Sequence, residues 1–252
     1  MKIRIPAMFV GLALGGALLL SSVGVVAAVT PPVGPAGNGV CAPQATAMKT
    51  GATVETLRAF GDCEINRRFT TLDTLAAKIT ASKVLTTSDA ASLKTEIAST
   101  KTGLTSLKAT IDSETSVPAL RVDIAKIAAE YRVYLLVAPQ VNLVSAADGV
   151  LAAQTRFADV NTRLAARIAA AKAAGKDTTA AQTALNAMNA AVTNAVGLAQ
   201  PLPAKLLPLI PAQYNAGTAG PILTSARTAL GQARDQLKAA VASAKACRDA
   251  LK

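Results

Sequence analysis

Apolar residues recur along most of this chain at alternating spacings of three and four, with polar residues between them. This heptad pattern is typical of α-helices that pack side by side along an apolar seam. The clearest seam consists of Leu93, Ile97, Thr100, Leu104, Leu107 and Ile111. The pattern predicts an all-α fold with helices over about 52–82, 89–114, 118–174, 180–198 and 222–251.

One proline interrupts the longest predicted helix. Pro139 lies within the apolar run Tyr134–Val141, which contains no Gly, Asn, Asp or Ser to build a surface turn. Proline removes a backbone donor and kinks or ends a helix. We therefore expect a sharp kink at Pro139, with a true turn as the alternative. A kinked central helix predicts an elongated antiparallel molecule of two three-helix bundles, 52–138 and 139–252. A turn would instead give one six-helix antiparallel bundle.

A proline-rich connection joins the last two predicted helices over residues 199–221. A connection of this length in a compact domain is usually functional or packed as an ordered cover. The sequence favours a cover over one end of the second bundle, because the connection contains Leu206, Leu207, Leu209 and Ile210.

The N-terminus has the organisation of an export signal. Residues 1–28 comprise a basic start, an uncharged apolar stretch and small residues that end at Ala28, which predicts a cleaved signal peptide. An uncleaved membrane anchor is the alternative, because Ile5–Val29 is long enough to cross a bilayer of ~30 Å. In both cases the protein is expected to be secreted or held in the cell envelope. Residues 29–51 are predicted to be a flexible Pro/Gly-rich tether.

The chain contains no His, no Trp and three Cys. Without an imidazole it lacks the usual general base and the commonest metal ligand. Ser-His catalytic triads, histidine-dependent zinc protease motifs and Glu-x-x-His di-iron sites are therefore excluded. The chain also lacks a phosphate-binding loop motif. We predict no catalytic residue, no metal ligand and no cofactor.

Positive charge is concentrated in the second half of the chain. Residues 49–132 contain 12 basic and 10 acidic residues, whereas residues 148–252 contain 12 basic and 5 acidic residues. This excess predicts attraction to anionic cell-wall polymers or phospholipid head groups, with merely solvated helix faces as the alternative. Nucleic acid is a poor candidate partner, because stacking aromatic residues are scarce. The candidate binding residues are Arg156, Arg163, Arg167, Lys172 and Lys176.

An exported protein with three cysteines has one left over after a disulfide forms. Two bundles placed end to end would hold Cys63 and Cys247 too far apart to bond. We therefore expect a Cys41–Cys63 disulfide and a free Cys247 in a helical seam. A single bundle would instead allow Cys63–Cys247. It would leave Cys41 free to bridge two molecules.

The segment Glu130–Val141 contains a Tyr-Arg-Val-Tyr core, an apolar run and a proline. Together with the Ala/Lys-rich segment 163–183, it resembles a group of alanine-rich, secreted, uncharacterised bacterial proteins. The resemblance implies helical structure and export, and it transfers no activity and no site residue.

The leading functional hypothesis is a non-enzymatic protein that binds or acts as a spacer in the cell envelope. Self-association through helices or cysteines is a further expectation. The rival hypothesis is an extracellular enzyme that uses carboxylates and hydroxyls near the proline-rich cover.

Overall fold

The all-α prediction is confirmed. A computed structural model describes residues 39–252, and this part of the chain contains nine α-helices and no β-strand. The signal peptide predicted over 1–28 and the first part of the predicted tether, 29–38, lie outside the described residues. The helices are α1 (Ala42–Thr50), α2 (Val54–Ala81), α3 (Thr87–Ser113), α4 (Val117–Ala129), α5 (Ala138–Ala173), α6 (Thr179–Ala199), α7 (Leu202–Leu206), α8 (Pro211–Asn215) and α9 (Ala219–Asp249).

The first set of long helices, α2, α3 and α4, contact one another. All six residues of the predicted α3 seam are buried. Arg58 on α2 closes the end of α3, because its guanidinium donates to the carbonyl of Ile111 at 3.3 Å and to that of Glu114 at 2.9 Å. A cation at this position also offsets the negative C-terminal end of the helix dipole.

The second set, α5, α6 and α9, likewise contact one another, and the most extensive contact is between α6 and α9. Ala226, Ala233 and Ala240 follow each other at heptad spacing on α9 and are all buried. Such small side chains let two helix backbones approach closely, which explains the high alanine content of this region. The two sets are joined where α2 contacts α5. Their predicted end-to-end arrangement stays a prediction.

The break in the long central helix does not lie at Pro139. Helix α4 ends at Ala129, and Arg132 has left-handed backbone angles with φ 42° and ψ 36°. A π-helical segment, Val133–Val137, follows and leads directly into α5. Pro139 therefore falls in the first turn of α5, directly after the π-helical segment, where it provides no backbone N–H. The predicted kink at Pro139 is wrong in position.

Part of the segment predicted as a tether is ordered. Residues 42–50 form α1, which contacts α2, and the preceding Cys41 is buried. A disulfide between Cys41 and Cys63 fixes α1 to α2. The tether prediction rested on the Pro/Gly composition of 31–39 and extended it too far into an alanine-rich helix.

The connection predicted as a cover, 199–221, contains the short helices α7 and α8. Helix α7 contacts α5 and α9, and Leu202, Leu206 and Leu209 are buried. Ile210 does not follow the expectation, because its side chain is 51% exposed. We call residues 199–221 the cover from here on.

One apolar stretch within the described residues, 117–173, passes a length and hydropathy test for a membrane span, with a mean hydropathy of 1.4 over its most apolar window. Of that window, 61% is buried inside the protein. The core helix of a soluble protein passes the same test, so this stretch is weak evidence for a membrane span.

Candidate functional site

The basic residues predicted on the second half of the chain lie on the surface of α5 and in the turn after it. Arg156, Arg163, Arg167, Lys172 and Lys176 are all exposed. The three arginines are spaced by seven and four residues, which places them on one face of the helix. At a rise of 1.5 Å per residue they extend over about 16 Å of helix. We call Arg156, Arg163 and Arg167 the basic face.

None of these five residues forms an ion pair within residues 39–252. Asp159 lies between Arg156 and Arg163 in sequence, but it is exposed and pairs with neither. The neighbouring helix α6 contains no charged residue, so it provides no counter-charge. The guanidinium groups of the basic face are therefore available to an external anion.

The first set of helices differs in this respect. Five of its basic side chains pair with carboxylates at 2.5 to 2.9 Å, and the pairs lie within and between helices. These paired side chains are Arg67, Arg68, Lys101, Lys108 and Lys126.

The basic face is close to the end of α9. The positive charge of Arg167 lies near enough to Cys247 to lower the pKa of its thiol. Burial has the larger, opposite effect, so the pKa of Cys247 is raised. On α9 itself, Lys238 pairs with Asp235, and Arg248 pairs with Asp249. Those two cations are thus partly neutralised, whereas the basic face of α5 is not.

The expected Cys41–Cys63 disulfide is confirmed, with the two Cα atoms 5.8 Å apart. Cys247 is free and buried, also as expected. Cys41 is therefore bonded within the chain. The thiol of Cys247 is buried in the structure. Self-association through helices or cysteines stays a prediction.

A buried amide holds the cover in place. Gln140, in the first turn of α5, donates from Nε2 to the carbonyls of Leu206 and Leu209, both at 2.9 Å. Its side chain is 2% exposed, and its Oε1 atom has no hydrogen-bond partner. Sequence reasoning did not single out Gln140. The available signal was a lone amide next to Pro139 in an apolar run that predicts burial on several sides.

A buried carboxylate joins α5 to the start of α3. Asp148 is 1% exposed, and its Oδ2 accepts the N–H of Thr86 at 2.8 Å. Burial, aided by the neighbouring carboxylate of Asp89, raises the pKa of Asp148 to about 6. Sequence reasoning also missed this residue. An acidic residue directly after an apolar seam residue is expected to be a surface charge, and only the packing of α5 on the α2–α3 connection shows that Asp148 is buried.

Two arginines stack on one tyrosine where α2 meets the π-helical segment. The guanidinium carbons of Arg67 and Arg68 lie 4.8 and 5.2 Å from the ring centre of Tyr134. Both arginines also bind Glu64, and the bonds from Arg68 and Arg67 outweigh burial and lower the pKa of the Glu64 carboxyl. The two arginines pair with Glu64 and stack on the ring, while Arg67 Nε, Arg68 Nε and the Tyr134 hydroxyl are buried without a hydrogen-bond partner.

The described residues contain no group of three or more Cys, Asp or Glu side chains placed to hold a metal ion. No protein-family model matches the chain, and no curated protein or solved structure matches it. The resemblance to alanine-rich secreted bacterial proteins therefore stays a prediction.

Proposed function

We propose that this protein acts outside the cell or in the cell envelope, without catalysing a reaction, by binding anionic cell-wall polymers or phospholipid surfaces. The observation that supports the proposal best is the basic face of α5. Its three guanidinium groups are exposed and have no acidic partner within residues 39–252. An uncharged helix lies beside them.

The chemistry of the basic face suits phosphate-bearing partners. Guanidinium groups bind phosphate oxygens through paired N–H donors, and their charge attracts an anionic surface from several ångströms away. Each cation near an anionic membrane contributes about 1 kcal/mol to binding. The three arginines together would therefore raise affinity roughly 100-fold. Lys172 and Lys176 extend the positive charge toward the far end of α5.

The rival hypothesis, an extracellular enzyme with its site near the cover, has less support. The cavity beside the cover is lined by a single carboxylate, Glu96. Carboxylate-based hydrolysis normally uses a pair of acids on either side of the scissile bond. The binding hypothesis is therefore the one that we carry forward.

Removing the three charges of the basic face tests the proposal. The variant Arg156→Gln/Arg163→Gln/Arg167→Gln is expected to bind phosphatidylglycerol vesicles about 100-fold more weakly than wild type at 50 mM salt. Co-sedimentation of the mature chain, 29–252, with vesicles of increasing phosphatidylglycerol content measures this difference.

The control variant, Lys49→Gln/Lys83→Gln/Arg121→Gln, removes the same charge from exposed positions on α1, in the α2–α3 connection and on α4. These three residues form no ion pair within residues 39–252. This variant should lose far less affinity. Equal losses in the two variants would show that net charge alone, and not the basic face, governs binding.

A further inference from the structure

A second row of basic side chains lies on α9. Arg227, Arg234 and Lys245 are spaced by seven and eleven residues, which places them on one side of the helix. None of them forms an ion pair within residues 39–252. Lys245 is exposed and Arg234 is half-buried. Like the basic face of α5, this row therefore has no acidic partner of its own.

Helices α5 and α9 lie side by side and run in the same direction. They contact each other, and Arg167 near the end of α5 lies close to Cys247 near the end of α9. The two helices are therefore offset by the 80 residues that separate this pair. At this offset Arg234 is within two residues of the level of Arg156, and Lys245 falls between the levels of the other two arginines of the basic face.

The row of cations lies on the side of α9 that borders α5. The buried alanines of α9 face α6, because only small side chains allow the close approach that the extensive α6–α9 contact requires. A row of buried leucines follows on the side turned away from α6, namely Leu223, Leu230 and Leu237. Arg234 lies one turn after Leu230, and Lys245 lies about two turns after Leu237, so both cations stand beyond the leucines, toward α5. We call the space between the basic face and these two cations the basic groove.

The basic groove suits an extended strand with repeated negative charges, because it offers cations on both sides. Of the large apolar side chains that are exposed within residues 39–252, none lies on α5, α6 or α9. The groove therefore has no anchor for the acyl region of a bilayer. The aromatic residue of α5, Phe157, is buried, and α9 contains none, so neither helix offers a ring on which nucleobases could stack. A phosphate polymer without aromatic groups fits this combination best.

We propose that the basic groove binds a single strand of a linear phosphate polymer, with the basic face on one side of the strand and Arg234 and Lys245 on the other. The guanidinium groups would donate paired N–H bonds to phosphate oxygens, and Lys245 would act as a point charge. This inference rests on the proposed function and selects a wall polymer over the membrane as the partner of the basic face.

The salt dependence of binding to linear inorganic polyphosphate tests the inference. For a single-stranded polyanion each phosphate contact adds about 0.7 to the magnitude of the slope of log affinity against log salt concentration. The chain 29–252, with five cations in the groove, is therefore expected to show a slope of about −3.5, and Arg234→Gln/Lys245→Gln a slope of about −2.1. Fluorescence anisotropy of labelled polyphosphate, titrated from 50 mM salt upward, measures both slopes.

A matched control is Lys94→Gln/Arg121→Gln, which also removes one lysine and one arginine. Both residues are exposed, lie on α3 and α4, and form no ion pair within residues 39–252. This control should keep the wild-type slope. Because Arg234 is half-buried, Lys245→Gln alone guards against a folding defect, and it should reduce the magnitude of the slope by about 0.7.

Phosphatidylglycerol vesicles at the same phosphate concentration separate the polymer from the membrane. Wild type is expected to bind polyphosphate about tenfold more tightly than vesicles, because a flat surface cannot lie between the two rows of cations. A wild-type slope in Arg234→Gln/Lys245→Gln, or equal affinity for vesicles and polyphosphate, would overturn the inference and leave the basic face as the binding surface. Failure of wild type to bind either probe would overturn the proposed function together with the inference.

Discussion

Replacing Leu104 by Asp is expected to lower the free energy of unfolding by about 4 kcal/mol or more. Leu104 is fully buried at the centre of the α3 seam. Its loss alone costs about 2–5 kcal/mol in cores of this kind, and the new carboxylate must be buried or must hold a proton. Urea denaturation followed by circular dichroism at 222 nm measures the change.

The adjacent Thr105 provides the control, because its side chain is exposed on a different face of the same helix. Thr105→Asp should change stability by no more than about 0.5 kcal/mol. If Leu104→Asp and Thr105→Asp unfolded at the same urea concentration, the seam between α3 and its neighbours would not be buried in solution.

Replacing Asp148 by Asn is expected to stabilise the protein at neutral pH and to have little effect near pH 4. The pKa of Asp148 is about 6 in the folded protein against an ordinary value of 3.8, so the folded state holds this proton more tightly than the unfolded state. The contribution of Asp148 to stability is therefore greatest below pH 4, falls as pH rises toward 6 and is constant above that. The loss is about 3 kcal/mol in magnitude.

Asparagine avoids this loss because it does not ionise. Its oxygen can still accept the N–H of Thr86, and its amide can donate to the carboxylate of Asp89. Urea unfolding of wild type and Asp148→Asn between pH 4 and pH 8 should show a stability difference that grows with pH. A pH-independent difference for Asp148→Asn would contradict the raised pKa.

The helices could be predicted from the sequence because their apolar period is local information. The predicted last helix began within a few residues of the observed Ala219–Asp249, and every residue of the α3 seam is buried. Heptad spacing fixes which side of a helix is buried whatever its partner is. The disulfide was expected for a different reason: the two-bundle layout would hold Cys63 and Cys247 too far apart, which left Cys41 as the partner of Cys63.

The break at Arg132 could not be predicted in the same way. A left-handed arginine is not a residue type that marks a break, whereas Pro139 is one. The sequence therefore drew attention to the wrong residue, and the position of the break depends on how the π-helical segment packs against α2. Helix α1 was missed for a similar reason, since its order depends on a disulfide and on contact with α2.

The candidate sites show the same difference between features that local sequence determines and features that depend on packing between distant segments. Local composition was enough to place exposed arginines on α5, since exposure follows from the helical period. Their lack of acidic partners depends on α6, which sequence alone does not place beside them. The cavity near the cover could not be predicted from the sequence. Gln140 and Glu96 are 44 residues apart and line one cavity only through the packing of three segments.

The salt dependence of binding tests the proposed function most directly. The wild-type chain 29–252 is expected to bind phosphatidylglycerol vesicles at 50 mM salt and to be released at 0.5 M, where the screening length falls to about 4 Å. The triple arginine variant of the basic face should bind weakly at both concentrations. Binding of wild type that persists unchanged at 0.5 M salt would contradict the proposal, because a diffuse basic surface cannot hold an anionic partner under those conditions.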